Sequence, residues 1–456
     1  MRYRIKIAAS DLEQTLRLVA APHPREGAAF ALAGVAELAD VTDVLVRRVV
    51  RIPDSAFAIQ EEDHLRLDPA AINGLVSLCE ANGLGAVLCH SHRFSAPYSP
   101  ADDVGEERVA RVLHECLPPP AAVGSLLLTP SGIQGRVWLR SAEQPVPASE
   151  ILVLGDHVRR HTQDSVALAV DPEPIYDRQI RAFGEDGQAR IAASKVAVVG
   201  TGGTGSPIAE QLVRLAVRDI LLIDPDDFEA SNLTRVYGTF ADAVDQSPVG
   251  TKVELIARHL RRINPEARVR TIARNVAHDE AARELLDRDC IFLCTDDHWG
   301  RSVVNQLGYQ YLVPIINVGV RIAAGGGRIE GATGAIDVLR PDLPCLWCKR
   351  FLDPARIAAE SLPSEDRQEL EHEGYVQGLD TEQPAVIGLT TAVAGHAVTS
   401  FLHLMTGFMG AGGDVQCLRW DVMSGTVNRG RTPNDDECIC RKVRGFGDLA
   451  PRPTLV

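Results

Sequence analysis

The feature that most constrains the fold of this 456-residue chain is an apolar run that leads directly into a glycine-rich turn. Residues 196–199 read Val-Ala-Val-Val, and four glycines follow them: Gly200, Gly202, Gly203 and Gly205. A buried strand, a glycine turn and a helix predicted to be capped by Ser206 form the first half of a βαβ unit. Glycines let the backbone approach a phosphate closely, and the free N–H groups at a helix start favour an anion. The stretch therefore predicts a nucleotide site.

The same rhythm continues after the turn. Strand-like runs alternate with helical stretches at 195–199, 219–223, 268–272, 290–294 and 314–318. This alternation predicts an α/β domain with a doubly wound parallel sheet and helices on both faces. The apolar stretch 385–406 predicts a long buried helix, and its small residues indicate close packing on its neighbours: Gly388, Ala392, Ala394 and Gly395.

The residues before this region follow a different pattern. Strand-like runs and short helices alternate irregularly from residue 1 to about 165, which predicts an α+β domain. Pro172 and Pro174 interrupt the pattern, so a domain boundary is expected near 160–175. The chain is thus expected to form two domains, 1–165 and 172–456.

The charge and the cysteines limit the partners and the compartment. The formal net charge is -14, which argues against binding to nucleic acid or to anionic membrane surfaces, because both require concentrated positive charge on the protein. No 18 apolar residues run together, and the first residues alternate as in a strand instead of forming a signal sequence. Most of the ten cysteines are scattered, as is typical of a reducing compartment. We expect a soluble, cytoplasmic protein.

Polar residues beyond the glycine turn favour ATP over NAD. Asp224 ends the second strand, where a ribose-binding acid is expected, but Asn232 and Arg235 follow closely and Arg235 can bind phosphate through a planar fork. Lys252 opens a later helix, and Asp296 in Cys-Thr-Asp-Asp ends a later strand, where it is a candidate magnesium ligand. Cations, magnesium and a glycine loop are what a triphosphate needs when pyrophosphate leaves.

The order of these motifs resembles the ubiquitin-activating-enzyme family, which includes the activators of sulfur-carrier proteins. The resemblance covers roughly residues 172 to 445 and includes Tyr176-Asp177-Arg178-Gln179. It implies a Rossmann-like domain that uses ATP and Mg²⁺ to adenylate the C-terminal glycine of a ubiquitin-like or sulfur-carrier protein ending in Gly-Gly. It also implies a homodimer, in which Arg178 reaches the phosphates of the neighbouring subunit.

The resemblance assigns a role to each motif residue. The backbone of Gly200, Gly202, Gly203 and Gly205 would cradle the nucleotide. Asp224 would bind the ribose, and Asp296 would hold magnesium. The groups expected at the phosphates are Asn232, Arg235 and Lys252.

Two close cysteine pairs indicate a structural zinc site. They are Cys345 and Cys348, separated by two residues, and Cys438 and Cys440, separated by one. Four thiolates fill a tetrahedral Zn²⁺ and leave no open position for catalysis. The family usually separates both pairs by two residues, so the second pair departs from its pattern.

A catalytic cysteine that many relatives carry before the long apolar helix has no counterpart in residues 374–384. Three routes remain open for the acyl group: direct transfer from the adenylate to a conjugating partner or sulfur donor, an oxyester at Thr381, or attack by another cysteine. We favour direct transfer, because a hydroxyl nucleophile needs a base beside it in the folded site and the sequence makes none evident for Thr381.

The N-terminal domain contains a second candidate zinc site. His90 and His92 lie two apart on a predicted strand, so both imidazoles share one face, and Asp102 follows. Two histidines and a carboxylate leave the fourth zinc position free for water. Glu26 is the candidate general base, and Ser99 the candidate donor to the oxyanion.

This constellation resembles the JAMM metalloprotease family over roughly residues 1–150. Six residues separate His92 from Ser99 where the family commonly has seven, and Arg93 replaces the usual proline. The ligand is therefore Asp102 or Asp103. The resemblance implies hydrolysis of a peptide or isopeptide bond.

The leading hypothesis joins both domains: one adenylates a ubiquitin-like protein and the other matures or removes it, as in a bacterial-type conjugation system. One alternative is sulfur-carrier activation in a thiocarboxylate pathway. A second is an inactive N-terminal docking module on a scaffold. An NAD-dependent dehydrogenase is the poorest rival.

Overall fold

The computed structural model describes residues 1–62, 64–140, 142, 144–162, 174–243, 250–362, 366–367 and 384–453. Residues 374–383, where relatives carry the catalytic cysteine and where Thr381 lies, are outside the described residues. The chain forms two compact units. The first comprises Met1–Ala167, Gln310–Leu312 and Val443–Arg452, and the second comprises Leu168–Tyr309, Val313–Lys442 and Pro453–Val456.

The first unit is built on a nine-stranded mixed sheet with a separate two-stranded hairpin. Its strands are β1 (Arg2–Ala8), β2 (Ala28–Glu37), β3 (Val41–Arg51), β4 (Phe57–Gln60), β5 (Leu65–Leu67), β6 (Gly85–Ser91), β7 (Val123–Thr129), β8 (Gly132–Trp138), β9 (Val146–Pro147), β10 (Glu150–Leu154) and β11 (Val158–Thr162). Its helices are α1 (Ala9–Ala20), α2 (Pro69–Asn82) and α3 (Pro100–Cys116). The large sheet has the order β11-β10-β1-β3-β2-β6-β7-β8-β9, and β4 pairs with β5.

Alternation along β2 divides the core of this unit into two layers. Ala29, Ala31 and Ala33 belong to one buried cluster, which includes Leu12 and Val19 of α1. Phe30 and Leu32 belong to the other, which includes residues of α2 and α3. Because neighbouring residues of a strand point to opposite faces, the sheet separates α1 from α2 and α3.

A C-terminal segment completes the first unit. Val443–Arg452 packs there although the sequence analysis assigned residues 172–456 to the second domain. Gly447 forms a bridge with Val35, and Phe446 packs against the cluster of α2 and α3. The sequence pattern does not reveal this return, because the segment contains no long apolar run.

The second unit contains an eight-stranded sheet. Its strands are β12 (Lys195–Val199), β13 (Asp219–Ile223), β14 (Arg268–Ile272), β15 (Cys290–Leu293), β16 (Ile315–Gly325), β17 (Arg328–Leu339), β18 (Cys417–Asp421) and β19 (Thr426–Gly430). The described helices that begin within it are α4 (Asp177–Ala193), α5 (Gly205–Arg214), α6 (Lys252–Ile263), α7 (Asp279–Arg283), α8 (His298–Gln310), α9 (Pro354–Glu360), α10 (Ile387–Thr406) and α11 (Ile439–Val443).

The strand order places a binding crevice beside β12. The order is β14-β13-β12-β15-β16-β17-β18-β19, and the first five of these strands are mutually parallel. The chain therefore reverses its direction of winding between β12 and β15, where ligands bind at the carboxyl ends of an open α/β sheet. The predicted parallel strands are confirmed. The sequence analysis did not include β17, β18 and β19, which extend the sheet antiparallel.

The apolar helix α10 packs on the second unit's sheet. It contacts α4, α5, β16 and β17. It is also the one helix in the described residues with the length and composition to cross a membrane, with 44% of the relevant window buried, a signal that core helices of soluble proteins share. The predicted close packing of this helix is confirmed, since Ala394 is fully buried, although Gly388 and Gly395 face open space. A close approach occurs at Gly334 of β17, whose added Cβ would lie 2.4 Å from Val393.

Candidate active sites and zinc centre

The glycine loop lies between β12 and α5, and its conformation requires glycine at two positions. Gly200 has a φ of 85°, and a Cβ there would lie 2.5 Å from the Thr295 nitrogen, just after β15. A Cβ on Gly205 would lie 1.9 Å from the carbonyl oxygen of Gly200. Gly202, in contrast, has open space at its Cβ position. The loop is therefore closed on the protein side and open at Gly202.

The predicted cap of α5 is wrong. The helix begins at Gly205 and its N-cap is Thr204. Ser206 lies inside the first turn, where its hydroxyl donates to the Gly202 carbonyl at 2.8 Å and accepts from the Tyr237 N–H at 3.0 Å. Ser206 thus ties the glycine loop to the segment that follows β13.

Asp224 fastens the end of β13 to the glycine loop. Its Oδ2 accepts hydrogen bonds from the Thr201 N–H at 2.6 Å and the Thr201 hydroxyl at 3.0 Å, and its Oδ1 accepts from the Asp226 N–H at 3.0 Å. Burial raises the pKa of Asp224 above its usual range, against the opposing effect of the Thr201 hydrogen bond. The residue predicted to bind ribose therefore lies at the crevice, and its hydrogen bonds hold the glycine loop in place.

The three predicted phosphate ligands differ in their surroundings. Lys252 donates to Asp226 Oδ2 at 2.6 Å, and the Arg235 Cδ lies 3.6 Å from the position of a Cβ on Gly203. Asn232 is buried, and its Oδ1 accepts from the Glu229 N–H at 3.2 Å within a short 3₁₀ turn. The structure therefore brings Arg235 beside the loop, whereas the amide of Asn232 helps to hold its own turn.

The two carboxylates after β15 have different tasks. Asp297 accepts hydrogen bonds from the Thr295 hydroxyl and the Gly300 N–H, and so caps the start of α8. Asp296 is exposed. A magnesium ion that also binds substrate phosphates needs only one or two protein carboxylates, and Asp296 fits that requirement.

Arg301 is a residue of this site that the sequence analysis missed. Its guanidinium is buried and lies 4.9 Å from the centre of the Phe351 ring. Burial lowers the pKa of Arg301, and the charges of Asp297 and Asp296 oppose this effect. Its position four residues after Asp297, on the helix that follows β15, is the signal that was available.

Arg178 lies on the surface of α4. Its side chain is exposed in the single chain that the structure describes. An exposed position is compatible with a role at a neighbouring subunit, and that role stays a prediction.

The four paired cysteines form one cluster. The Sγ atoms are separated by 3.5 Å between Cys345 and Cys438, 3.8 Å between Cys345 and Cys348, and 3.7 Å between Cys348 and Cys440. Sulfur atoms about 3.8 Å apart are what a tetrahedral zinc with bonds of about 2.3 Å requires. A hydrogen bond with Cys440 lowers the pKa of the Cys345 thiol to about 5. The donor set therefore fits Zn²⁺.

The histidine cluster of the first unit contains three candidate ligands. His90 Nε2 lies 3.5 Å from Asp102 Oδ1, and His92 Nε2 lies 3.3 Å from Asp102 Oδ2. Donors bound to zinc at about 2.0–2.1 Å are about 3.3 Å apart in a tetrahedron. His90 Nε2 is also buried without a hydrogen-bond partner among the described residues, as expected for a metal-binding nitrogen. The three side chains fit Zn²⁺ with one position left open.

Helix α3 separates the roles of the two adjacent aspartates. Ser99 caps α3, because its hydroxyl accepts from the Asp102 N–H at 3.2 Å, while Asp102 Oδ2 accepts from the Ser99 N–H at 2.6 Å. Burial opposes the ionisation of Asp102, but the imidazoles of His90 and His92 hold its pKa well below the usual range. Asp103 instead pairs with Arg136. The geometry favours Asp102 as the ligand.

Glu26 lies at the edge of the histidine cluster. Its side chain is largely buried, and its Oε1 is 3.7 Å from His92 Nε2. The hairpin of β4 and β5 holds its backbone: the Glu26 N–H donates to the Glu61 carbonyl at 2.7 Å, and the Gln60 amide donates to the Glu26 carbonyl at 2.9 Å. The structure therefore brings the predicted base to the predicted ligands across more than 60 residues of sequence.

Comparison with known proteins identifies the family. A model of the ThiF family matches residues 176–440, which is more than half of the chain. The chain belongs to the ThiF family. The match covers most of the second unit and leaves residues 1–175 outside it.

Relatives of known name match part of the chain. Ubiquitin-like modifier-activating enzyme 5 of Drosophila persimilis is 28% identical over 232 residues, which are 48% of this chain and 54% of that protein. SAMP-activating enzyme E1 of Haloferax volcanii is 29% identical over 188 residues, which are 40% of this chain and 64% of that protein. The chain spans between about half and two thirds of the length of these curated relatives. A solved structure of E. coli MccB is 18% identical, with a TM-score of 0.47, and covers 60% of this chain and 76% of that chain.

Proposed function

We propose that the second unit uses ATP to adenylate the C-terminal carboxylate of a ubiquitin-like protein that ends in Gly-Gly. The observation that carries this proposal is the glycine loop, closed against Thr295 and open at Gly202, within a chain of the ThiF family. The names of the matched relatives, a ubiquitin-like modifier-activating enzyme and a SAMP-activating enzyme, support the same substrate class.

The proposed reaction exchanges one phosphoanhydride bond of ATP for a mixed anhydride. A carboxylate oxygen attacks the α-phosphorus of ATP, and the bond from that phosphorus to the bridging oxygen breaks, so pyrophosphate leaves with the electron pair. Arg235 and Lys252 would compensate the phosphate charge, and Asp296 would hold magnesium, which would stabilise the charge on the leaving group. Lys252 would exchange its contact with Asp226 for one with phosphate.

ATP–pyrophosphate exchange tests this proposal. We expect the full chain to catalyse exchange only with a Gly-Gly-ended carrier, and Asp296→Ala to lose at least about a hundredfold of the rate. Asp40→Ala, a substitution of an exposed aspartate in the first unit, is the matched control and should retain exchange. Binding of a reduced nicotinamide without exchange would instead support a dehydrogenase.

The fate of the acyl group forms part of the proposal. We expect direct transfer from the adenylate to a conjugating partner or, in the alternative of sulfur-carrier activation, to a sulfur donor. We expect a homodimer in the cytoplasm, with Arg178 acting at the neighbouring subunit. Mixing Arg178→Ala chains with Asp296→Ala chains would restore part of the exchange if each site takes its Arg178 from the other subunit.

A second function is proposed for the first unit: hydrolysis of the bond that follows the Gly-Gly end of the same carrier. The observation that favours it is the convergence of His90, His92, Asp102 and Glu26. When bound, zinc would make a water acidic enough to attack an amide near neutral pH. Glu26 would take the proton from that water and deliver it to the leaving amine, and the Ser99 hydroxyl would donate to the developing oxyanion.

Cleavage of a carrier with a C-terminal peptide extension tests the second function. We expect Glu26→Gln to abolish cleavage while zinc is retained, and Glu13→Gln, at an exposed site on α1, to be active. A chain that binds the carrier without cleaving it, and that holds only the cysteine-bound zinc, would support the docking-module alternative.

A further inference from the structure

A buried carboxylate lies behind the histidine cluster, on the side away from Asp102. Glu106 is one helical turn after Asp102 on α3, so both side chains occupy the same face of that helix. The Glu106 side chain is only 8% exposed. A buried carboxylate is costly unless it is paired and hydrogen-bonded, so its contacts indicate what it is for.

Donors from the neighbouring strands fix this carboxylate. Its Oε2 accepts from Arg136 Nε at 2.9 Å and from Trp138 Nε1 at 3.0 Å, both on β8. Its Oε1 accepts from the Ser125 hydroxyl of β7 at 2.5 Å. The Arg136 guanidinium, which also lies 3.7 Å from the centre of the Tyr98 ring, compensates the charge. The position of Glu106 is therefore set by rigid elements of the sheet.

The remaining capacity of Oε1 is directed at the histidine cluster. Oε1 lies 3.8 Å from Nδ1 of His90, while Nε2 of the same ring lies 3.5 Å from Asp102 Oδ1. The ring thus stands between two carboxylates, with Nδ1 toward Glu106 and the unpartnered Nε2 toward Asp102. An approach of less than 1 Å would bring Nδ1 and Oε1 within hydrogen-bond distance.

We propose that Glu106 is a positioning residue for His90: it accepts the Nδ1 proton and so keeps the lone pair of Nε2 free for a divalent cation. A ligating histidine that donates its other N–H to a carboxylate has a fixed tautomer, a fixed ring orientation and a more basic donor nitrogen. Glu106 touches neither the substrate nor the cation. The inference rests on the zinc site proposed for the first unit.

Zinc affinity of the full chain tests the proposal, with the cysteine cluster as an internal reference. In a competition titration with a chelator, Glu106→Gln should weaken the histidine site by about 10- to 100-fold and leave the cysteine site unchanged. The control is Glu107→Gln, which changes the adjacent carboxylate, paired with Arg111 at the surface, and should have no effect. Unchanged zinc affinity in folded Glu106→Gln would overturn the proposal.

Two further measurements separate positioning from folding. If Glu106→Gln does not fold, the Glu106→Gln/Arg136→Gln double variant removes both charges of the pair and should show the same loss of zinc. In the zinc-loaded wild-type chain, ¹⁵N NMR should find the His90 proton on Nδ1; a proton on Nε2 would contradict the proposal.

The His90→Ala variant distinguishes failure of this inference from failure of the proposed hydrolase. If His90→Ala lowers zinc by one per chain and Glu106→Gln does not weaken it, only the role of Glu106 is wrong. If His90→Ala retains all of the zinc of the wild-type chain, the zinc site itself is wrong.

Discussion

The two units form their candidate sites by different means. In the second unit, the nucleotide loop depends on backbone conformation: Gly200 and Gly205 sit where no Cβ fits, and the neighbouring carboxylate of Asp224 binds backbone N–H groups. In the first unit, the site consists of side chains from separate elements, with His90 at the end of β6 and Asp102 in the first turn of α3.

Because the two sites are built differently, we expect them to tolerate different substitutions. A site formed by the backbone is sensitive to any substitution that adds volume. The neighbouring carboxylate of Asp224 already accepts hydrogen bonds from the backbone. A cluster made of side chains is sensitive to isosteric changes that remove a charge or a lone pair while the volume is kept. The cysteine cluster of the second unit is a third case, because its four donors would leave no open position on the metal. Loss of one donor should therefore lower the stability of the fold and should not act directly on a catalytic step.

The largest effect is expected at the closed cysteine cluster. Cys345→Ser should remove one zinc per chain and lower the free energy of unfolding by at least about 3 kcal/mol, because a metal bound there would link two segments far apart in sequence. Cys417→Ser, at a buried cysteine outside the cluster, should retain the zinc. Metal analysis and chemical denaturation check this, and equal zinc in both variants would contradict a zinc site there.

The next largest effect is expected in the glycine loop. Gly205→Ala should reduce ATP–pyrophosphate exchange by at least about a hundredfold, because its Cβ would meet the Gly200 carbonyl and displace the loop by about 1 Å. Gly202→Ala adds the same methyl group in open space and should remain within about tenfold of wild type. Similar losses in both variants would show that the loop is not set by backbone packing.

The first unit should respond to an isosteric change. Asp102→Asn keeps the side-chain volume but should weaken zinc at the histidine site by more than the roughly 10- to 100-fold typical of outer-shell partners. Asp103→Asn is the matched control, since Asp103 pairs with Arg136 instead. If zinc titration finds the larger loss in Asp103→Asn, the two aspartates have been assigned in the wrong order.

The smallest effect is a dependence of zinc affinity on pH. The hydrogen bond with Asp102 raises the pKa of His92 above its ordinary 6.5 in the metal-free protein. Zinc must displace that proton, so its affinity should fall by about tenfold per unit as the pH drops below the raised pKa. Titrations at pH 7.5 and 5.5 should show this loss in wild type and in the control His64→Ala. Affinity that does not change with pH would contradict His92 as a ligand.

Much of the second unit could be predicted because its strands are short apolar runs bounded by turn residues. Residues 195–199 and 219–223 coincide with β12 and β13. The antiparallel strands were not predicted, since β17 reads Arg-Ile-Glu-Gly-Ala-Thr-Gly-Ala-Ile-Asp-Val-Leu and lacks an apolar run. Ser206 was assigned as the cap from its residue type and from the proline that follows it, but the helix begins two residues earlier, with Thr204 as its cap.

The sequence allowed the candidate ligands of each site to be predicted, but not the buried residues that contact and position those ligands. Glu26 was proposed as the base for the site of His92, but the sequence carries no contact between the two residues, because more than 60 residues separate them. Arg301 and Glu106 were missed for a common reason: a charged residue on a helix usually lies in solvent, and only tertiary packing buries it.

The measurement that tests the central claim most directly is mass spectrometry of a Gly-Gly-ended carrier incubated with ATP, magnesium and the pure, zinc-replete chain. We predict a carrier that bears one adenylyl group at its C-terminus, a mass gain of AMP less one water, and an equal amount of pyrophosphate. If no Gly-Gly-ended candidate carrier is modified or bound and no ATP is consumed, the assignment of this chain as an activating enzyme is wrong.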